Sequence, residues 1–276
     1  MSLYVASLNS GSNGNCYYIG NGKDAILVDA GISCRETEKR MARLGLSIKN
    51  VRAIFISHEH TDHIKGLPVI SRKYNIPVYI TQITLQHSRM VLDQQLTQAF
   101  CHATPVNIAG IEVTAFTKHH DAADAHSFII SHSGTTVGVF TDIGNVCSNL
   151  VQYFKRCHAA FIEANYDVDM LEHGRYPYHL KNRIRGGKGH LSNNEALQLV
   201  QQHRTEDLSH VFLSHLSKDN NDPVLAEHLF KSHCPDLHVS VASRYNESEV
   251  HYISAHQRQA NHTFNYRELH QASLFA

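Results

Sequence analysis

A histidine-rich stretch at residues 57–63 carries the side chains that are best suited to metal chemistry. It reads Ser57-His58-Glu59-His60-Thr61-Asp62-His63, which places three imidazoles and the Asp62 carboxylate within six residues. Neutral imidazole and carboxylate suit Zn²⁺, Mn²⁺ or Fe²⁺, and no Cys lies nearby to complete a closed structural zinc site. The spacing therefore predicts a metal site that keeps an open position for water.

The alternative interpretation is a polar loop in a chain that contains 23 His. A single His carries little weight in such a chain, but the ordered pattern His-x-His-x-Asp-His after an apolar run is more specific. Residues 51–56 are mostly β-branched or aromatic, which predicts a buried strand with the motif at its carboxyl end. His58 and His60 can face one ion there, while Asp62 and His63 turn toward another.

Two ions need about seven or eight ligands, so residues from distant strand ends must complete this site. The sequence offers His119-His120-Asp121, Asp142 and His215, each of which follows a predicted strand. Taken singly, Asp142 is typical of a turn and each His is typical of a surface loop. Their recurrence at strand ends favours the metal site, and both His119 and His120 are candidates at this point.

The elements that position these residues include both strands and helices. Apolar residues at 3–8, 16–19 and 25–28 predict a β-meander, and Ser-x-x-Glu patterns at 33–36 and 192–195 predict helix starts. Further strands are predicted at residues 77–81, 111–116, 127–131, 136–141, 159–163, 211–214, 237–242 and 250–253. Further helices are predicted at residues 65–74, 83–92, 150–155 and 222–233. We interpret residues 1–255 as one domain that is followed by a polar tail at 256–276.

The overall charge of the chain is balanced, which excludes a general electrostatic attraction to nucleic acid or to a membrane. Lys plus Arg equals Asp plus Glu at 25 each, so any polyanionic partner must be recognised by a local patch. The six Cys form no C-x-x-C pair, and the amino terminus lacks a signal-sequence pattern. We therefore expect a reduced, cytoplasmic protein. No apolar run approaches the roughly 18 residues of a membrane helix, so no membrane partner is expected.

The order of these motifs resembles the metallo-β-lactamase fold superfamily. The matching residues are Asp29, His58-x-His60-x-Asp62-His63, His120, Asp142 and His215. The resemblance implies an α+β fold, a four-layer αββα sandwich in which helices flank two mixed β-sheets, with two metal ions at one edge. It selects His120 over His119 because the family pattern has His followed by Asp-Ala.

The same resemblance assigns a role to each candidate ligand. His58, His60 and His120 would bind the first ion, and Asp62, His63 and His215 would bind the second. Asp142 would bridge the two ions. Asp29 would orient a ligand rather than bind metal. The cofactors implied are two divalent ions, Zn²⁺ or Mn²⁺, with Fe²⁺ also suited to these ligands.

A narrower resemblance, to the YycJ (WalJ, VicX) branch of bacterial exonuclease-like proteins, covers residues 1 to about 253. The matching segments are residues 10–16, 57–63, 189–193 and 215–221. A water molecule that bridges two divalent ions becomes acidic, and the resulting hydroxide can attack phosphorus. We therefore predict a dinuclear phosphodiester hydrolase, a DNA exonuclease, in which Asp62 orients the bridging hydroxide. His190 is a candidate phosphate ligand or proton donor to the leaving group.

A basic segment at residues 173–194 is the main indication of the substrate. It contains no Asp or Glu, and its candidate phosphate-binding side chains are Arg183, Arg185 and Lys188. Tyr176 and Tyr178 could stack on bases. The alternative interpretation is a solvated basic loop.

The first glycine-rich turn offers a second candidate phosphate site. Ser10, Ser12 and Asn15 could bind a terminal phosphate, although an ordinary hairpin turn explains the same residues equally well. Two other functions stay open. One is hydrolysis of a small cyclic phosphodiester, thioester or lactone, and the other is a metal-binding regulatory partner without turnover. The sequence leaves the oligomeric state open.

Overall fold

Two β-sheets of seven strands each form the centre of the structure, a computed structural model that describes residues 2–255. The strands of the first sheet are β1 (Leu3–Asn9), β2 (Cys16–Gly20), β3 (Ala25–Val28), β4 (Val51–Phe55), β5 (Val78–Tyr79), β6 (Thr97–Gln98) and β14 (His251–Ile253). Their spatial order is β14-β1-β2-β3-β4-β5-β6. The first three strands form the predicted antiparallel meander, and β3 to β6 run parallel.

The second sheet comes from the middle and the carboxyl-terminal part of the described chain. Its strands are β7 (Pro105–Ile108), β8 (Ile111–Thr117), β9 (His126–His132), β10 (Thr135–Phe140), β11 (Ala159–Glu163), β12 (His210–Ser214) and β13 (His238–Val241). They lie side by side in the order β13-β12-β11-β10-β9-β8-β7. The strands β10 to β13 are parallel, whereas β7 to β10 are antiparallel. Both sheets are therefore mixed.

Helices lie on the outer faces of the sheets and connect the strands. They are α1 (Cys34–Arg43), α2 (Thr61–Ile64), α3 (Leu67–Tyr74), α4 (Gln82–Ser88), α5 (Ser148–Phe154), α6 (Val168–His173), α7 (Tyr178–Arg185), α8 (Asn193–His203) and α9 (Pro223–His233). A 3₁₀ turn at Ile48–Asn50 precedes β4. Ser192 and Glu195 form a complete capping box at the start of α8. At α1 the Ser33 side chain accepts from the Glu36 backbone N–H, but the Glu36 carboxylate pairs with Arg40 instead.

Three apolar layers hold these elements together. Between the sheets, inward-facing side chains form one core, in which Phe161 stacks on Phe212 with ring centroids 4.6 Å apart. A second core lies under α1 and α3, and a third lies under α5, α8 and α9. Burial of this apolar surface is the main force that stabilises the sandwich. The predicted α+β sandwich of two mixed sheets flanked by helices is confirmed.

Several short elements were not predicted from the sequence. They are β6, β7 and α2, together with α6 and α7, which lie within residues 165–190. These segments are short and polar, so their hydrophobic periodicity is weak. The predicted tail at 256–276 lies outside the described residues. Among residues 2–255, no helix is long and apolar enough to cross a membrane.

Strand direction determines where the site can form. Because β3 and β4 are parallel, their carboxyl ends lie at the same edge of the first sheet. In the second sheet β8, β10, β11 and β12 all run in one direction, since β9 is antiparallel to both β8 and β10. The loops after these six strands meet at one end of the sandwich.

Candidate metal centre

Three imidazoles converge from two loops at this end of the sandwich. His58 and His60 follow β4, and His120 follows β8. His58 Nε2 lies 3.1 Å from His60 Nδ1, and His120 Nε2 lies 3.3 Å from the same atom. Nitrogen atoms from all three rings thus surround one position. His119, by contrast, is exposed and contacts the side chain of Asn145.

A second group forms beside the first from Asp62, His63 and His215, whose ligand atoms all lie within 4.8 Å of one another. Asp62 Oδ2 lies 3.5 Å from His63 Nε2 and 3.5 Å from His215 Nε2. The one-turn helix α2 carries both Asp62 and His63, and His215 comes from the loop after β12. Two adjacent three-residue groups are therefore present.

Asp142 lies between the two groups. Its Oδ2 is 3.0 Å from His63 Nε2, and its Oδ1 is 3.8 Å from His120 Nε2 and 3.5 Å from His215 Nδ1. The carboxylate is buried, and within residues 2–255 its Oδ2 has no hydrogen-bond partner. His215 Nε2 is likewise buried without a partner. Buried polar atoms without partners are costly, and bound cations would satisfy both of them.

Hydrogen bonds on the far side of each buried ring fix which nitrogen is free for a metal. His120 Nδ1 donates to the Gly189 carbonyl at 3.0 Å, and His63 Nδ1 donates to Asp29 Oδ2 at 2.7 Å. In the neutral form of both rings, Nε2 is then the unprotonated nitrogen that faces the site. The structure thus places Asp29 behind a candidate ligand, an arrangement that is usual around metal-binding imidazoles.

His58 is held in the same way through Ser57. The Ser57 hydroxyl donates to Asp29 Oδ2 at 2.9 Å, so it must accept from His58 Nδ1, which lies 2.8 Å away. A hydroxyl has one hydrogen to donate, so when that hydrogen is directed at Asp29 the His58 ring must carry its proton on Nδ1. His58 Nε2 is left free, and the single carboxylate of Asp29 orients two rings.

Glu163, at the end of β11, is the residue of the site that sequence reasoning missed. It is fully buried, and its Oε1 accepts from His215 Nδ1 and from His190 Nδ1, both at 2.8 Å. Its Oε2 accepts from the backbone N–H groups of Ile143 and Leu191 at 2.6 and 3.3 Å. The signal was available, because an acid ends an otherwise apolar strand at the same edge as the other ligands.

Lys118 was also overlooked. It is buried two residues before His120, and its ammonium group donates to the Thr141 carbonyl at 2.6 Å. Burial lowers the pKa of Lys118, against the opposing effect of Asp142 and the other nearby carboxylates. Its position brings a positive charge close to a group of acidic ligands.

The two groups of imidazoles differ in protonation before any cation binds. Burial lowers the pKa of His58 well below its usual value and that of His120 to about 4, so both rings are neutral at pH 7. Burial also acts to lower the pKa of His63 and His215, but Asp142 and other carboxylates more than offset it. The pKa of His215 is raised to about 10. At the first position His58 and His120 are thus unprotonated, whereas a cation at the second position must displace protons.

The backbone at three strand ends is held in the left-handed region. Asp29, Asp142 and His215 have φ values of 61°, 54° and 56°. Residues other than Gly seldom adopt this conformation, which costs on the order of 1–3 kcal/mol and is concentrated at functional sites. All three residues contribute side chains to the polar cluster at this end of the sandwich.

Comparison with known proteins identifies the family. A model of the metallo-beta-lactamase superfamily matches residues 10–145. The chain is 37% identical over 231 residues to exodeoxyribonuclease YycJ of Bacillus anthracis, covering 82% of this chain and 87% of that protein. The chain belongs to the YycJ branch of the metallo-beta-lactamase superfamily. Exodeoxyribonuclease WalJ of Streptococcus pneumoniae is 31% identical over 224 residues, which cover 79% of this chain and 83% of that protein.

Solved structures agree on the fold. The metallo-beta-lactamase fold protein YhfI from Bacillus subtilis superposes with a TM-score of 0.71 at 16% identity, covering 91% of this chain and all of that one. The resemblance read from the sequence is confirmed at the level of superfamily and branch. As a member of the YycJ branch, the chain is a metal-dependent hydrolase.

In this YycJ-branch hydrolase, two of the three residues of the first turn that were predicted to bind phosphate are buried and form contacts with other parts of the protein. Ser10 is buried and accepts from the His215 backbone N–H at 2.7 Å. Asn15 is buried, and its amide nitrogen lies 3.1 Å from Asp62 Oδ2. The structure therefore places both residues behind the ligand loops. Ser12 is exposed, and its hydroxyl accepts from Arg244 at 3.3 Å.

The basic segment lies beside the metal centre, but its charges are partly paired. Arg183 bonds Asp121 at 2.5 Å, and Arg185 bonds Glu172 at 2.6 Å. Both carboxylates lie outside residues 173–194, so counting charges within the segment could not reveal them. Lys188 is exposed in the loop that reaches the Gly189 carbonyl beneath His120.

Proposed function

We propose that this protein is a dinuclear exodeoxyribonuclease that hydrolyses phosphodiester bonds at the end of a DNA strand. The observation that carries the proposal is the arrangement of two adjacent three-residue groups around the single buried carboxylate of Asp142. Such a paired site is suited to neutralising the oxygens on both sides of an in-line displacement. DNA is chosen as the substrate because the relatives YycJ and WalJ are named exodeoxyribonucleases.

The imidazole and carboxylate groups of the site suit two divalent ions that are borderline or hard Lewis acids. His58, His60 and His120 would hold one ion, Asp62, His63 and His215 the other, and Asp142 both. Imidazole with carboxylate suits Zn²⁺, Mn²⁺ and Fe²⁺, and Cys ligands are absent from the clusters formed by residues 2–255. When bound, the ions would supply an acidified water and neutralise the phosphoryl oxygens.

Asp62 is the candidate that orients the attacking water. Its side chain is 21% exposed, in contrast to the buried Asp142, so it can reach both the site and solvent. Burial raises the pKa of Asp62, but His63 and His215 lower it below its usual range, so the carboxylate is ionised and ready to accept a hydrogen bond. Asn15 holds it from behind at 3.1 Å.

His190 is the candidate proton donor. Its Nδ1 donates to Glu163 Oε1 at 2.8 Å, and its side chain is 18% exposed. Its ring centroid lies 5.2 Å from that of His215 and 5.4 Å from that of His120. The Glu163 bond fixes the ring, so that Nε2 can contact a phosphoryl or leaving-group oxygen when it carries a proton.

DNA would approach across the loop at residues 186–189. Lys188 contributes an exposed cation there, with no ion pair among the described residues. Arg183 and Arg185 lie in the helix just before this loop, and they and Ser12 would contact phosphates after exchanging their present partners. Backbone phosphate contacts of this kind give affinity without sequence preference.

The test uses purified full-length protein loaded with Mn²⁺ or Zn²⁺. We expect stepwise shortening of end-labelled single-stranded DNA, abolished by a chelator and by Asp142→Ala, and retained in Lys231→Ala. Lys231 is a matched control because it lies on α9 in an ion pair with Glu227. Cleavage of a bis-aryl phosphodiester without any shortening of DNA would instead establish a small-molecule hydrolase. Metal binding with neither activity would establish a regulatory role.

A further inference from the structure

A second cluster of imidazoles lies far from the centre described above. It consists of His210, His238 and His251, whose nitrogen atoms all lie within 4.8 Å of one another. His210 begins β12, and His215 follows the opposite end of the same strand. Five residues of strand span about 16 Å, so this cluster and the candidate catalytic centre lie at opposite ends of the sandwich.

The three rings come from both sheets. His210 and His238 are register partners on β12 and β13 of the second sheet, whereas His251 begins β14 at the edge of the first. Side chains alternate along a strand, so His210 faces the same side as Phe212, and His251 faces the same side as Ile253. Both Phe212 and Ile253 belong to the core between the sheets. The cluster therefore lies at the margin of that core.

The rings are close enough to share one small ligand. Ring centroids are separated by 4.9 Å for His210 and His238, 5.6 Å for His238 and His251, and 6.2 Å for His210 and His251. Phe212 closes the inner side, with its ring 4.7 Å from that of His251. His238 is exposed, while the other two rings are half-buried, so a small ion can enter from solvent.

Ser209 fixes the tautomer of His210. Its hydroxyl donates to the His158 carbonyl at 2.9 Å, so it must accept from His210 Nδ1, which lies 2.8 Å away. This leaves Nε2 of His210 unprotonated and available as a ligand. A serine hydroxyl orients His58 by the same kind of hydrogen bond in the candidate catalytic centre. Metal-binding imidazoles are usually held by a hydrogen bond at the nitrogen that does not face the metal.

Burial and the neighbouring imidazoles keep His210 and His251 neutral. Burial lowers the pKa of His210 to about 3 and that of His251 to about 4, and His238 acts in the same direction on both. Neutral imidazole is the form that binds metal. The cluster contains no carboxylate, which excludes the oxygen-rich coordination that Mg²⁺ and Ca²⁺ require.

We propose that His210, His238 and His251 form a separate zinc-binding site that joins the edge of the first sheet to the edge of the second. Three imidazole nitrogens and one water complete a tetrahedral Zn²⁺ site. Binding to the folded state alone would stabilise the closed sandwich. Its function is structural, so catalysis does not depend on it, and the proposal does not rest on the nuclease activity.

The test counts bound metal in the full chain at a fixed free Zn²⁺ concentration. We expect His238→Ala to lose one equivalent of Zn²⁺ relative to wild type and to keep its phosphodiesterase activity. His238 is exposed, so its replacement is not expected to disturb folding, and His251→Gln provides a second variant. His228→Ala, which replaces an exposed His on α9, is the matched control and should keep every equivalent.

Stability provides an independent readout. Zn²⁺ at about 100 times the dissociation constant should raise the Tm of Asp142→Ala protein by about 5–10 °C. The same addition should have a smaller effect when His238→Ala is combined with Asp142→Ala, and Mg²⁺ should have none. Equal Zn²⁺ content in wild type, His238→Ala and His251→Gln would overturn the proposal. So would loss of the equivalent in His228→Ala.

Discussion

In the proposed dinuclear centre, replacing Glu163 by Gln should weaken binding of the second metal ion without unfolding the protein. Glu163 uses one carboxylate oxygen for two backbone N–H groups and the other for the Nδ1 atoms of His190 and His215. The amide of Glu163→Gln has one oxygen and one NH₂ group. It can therefore accept from the backbone or from the rings, but not from both.

The free-energy cost of each orientation decides which way the amide of Glu163→Gln points. If the NH₂ faced the backbone, two buried N–H groups would be left unpaired at about 1–3 kcal/mol each, or about 2–6 kcal/mol together. If the NH₂ faces the rings, His215 must accept at Nδ1 and carry its proton on Nε2. A change of tautomer costs less, so we expect the second arrangement. Nε2 of His215 is then protonated and no longer a ligand.

Loss of such a supporting hydrogen bond typically lowers metal affinity by about 10–100-fold, or about 1.4–2.7 kcal/mol. Competition with a chromophoric chelator should show weaker binding at one of two sites, with a matching loss of DNA hydrolysis at limiting metal. Glu247→Gln is the control, because Glu247 is also largely buried but pairs with Arg43. Unchanged affinity at both sites in Glu163→Gln, with a folded protein, would refute the reasoning.

Three further predictions concern the patch, the core and pH. Lys188→Ala should weaken binding to single-stranded DNA and reduce the slope of log K against log salt concentration by about 0.7. Lys231→Ala should change neither. Filter binding from 50 to 200 mM salt tests this. Phe161→Ala should lower the free energy of unfolding, measured by chemical denaturation, by about 3–5 kcal/mol. Tyr178→Ala should lower it little, because Tyr178 is 71% exposed. Although burial opposes it, Asp142 and its neighbours raise the pKa of His215 from 6.5 to about 10. The free energy of unfolding of the metal-free protein should therefore fall as pH rises from 6.5 through about 10. Over the same interval, calorimetry of metal binding should show tighter binding and release of fewer protons. A metal-free stability that increases over that interval would contradict the sign.

The convergence of the candidate ligands at one end of the sandwich was predictable because strand periodicity and residue type point the same way. An apolar run that ends in His or Asp places the polar group at a sheet edge, and parallel strands bring such edges together. Order along the chain then matched a known superfamily. The fold followed from the same match rather than from propensity, since β5 and β6 are two residues each and have almost no periodic signal.

What the sequence did not reveal depends on contacts between distant segments. The basic segment seemed unpaired because Asp121 and Glu172 reach it from outside. Ser10 and Asn15 lie in a turn that resembles an exposed hairpin, yet the loops that carry His215 and Asp62 cover them. Glu163 was read simply as the last residue of a strand. In each case the deciding partner lies outside the segment, from 13 residues away for Arg185 and Glu172 to 205 for Ser10 and His215, beyond the reach of local composition.

The pairing of β1 with β14 has a consequence for synthesis of the chain on the ribosome. Leu3 and Val5 pair with Ile253 and His251, so the last described strand covers the outer edge of the first one. Until residue 253 has left the exit tunnel, the backbone of the nascent amino-terminal sheet has an open hydrogen-bonding edge. Open edges recruit other strands. A product of translation that stops before residue 250 would therefore retain all the candidate metal ligands near Asp142 and still be prone to aggregate.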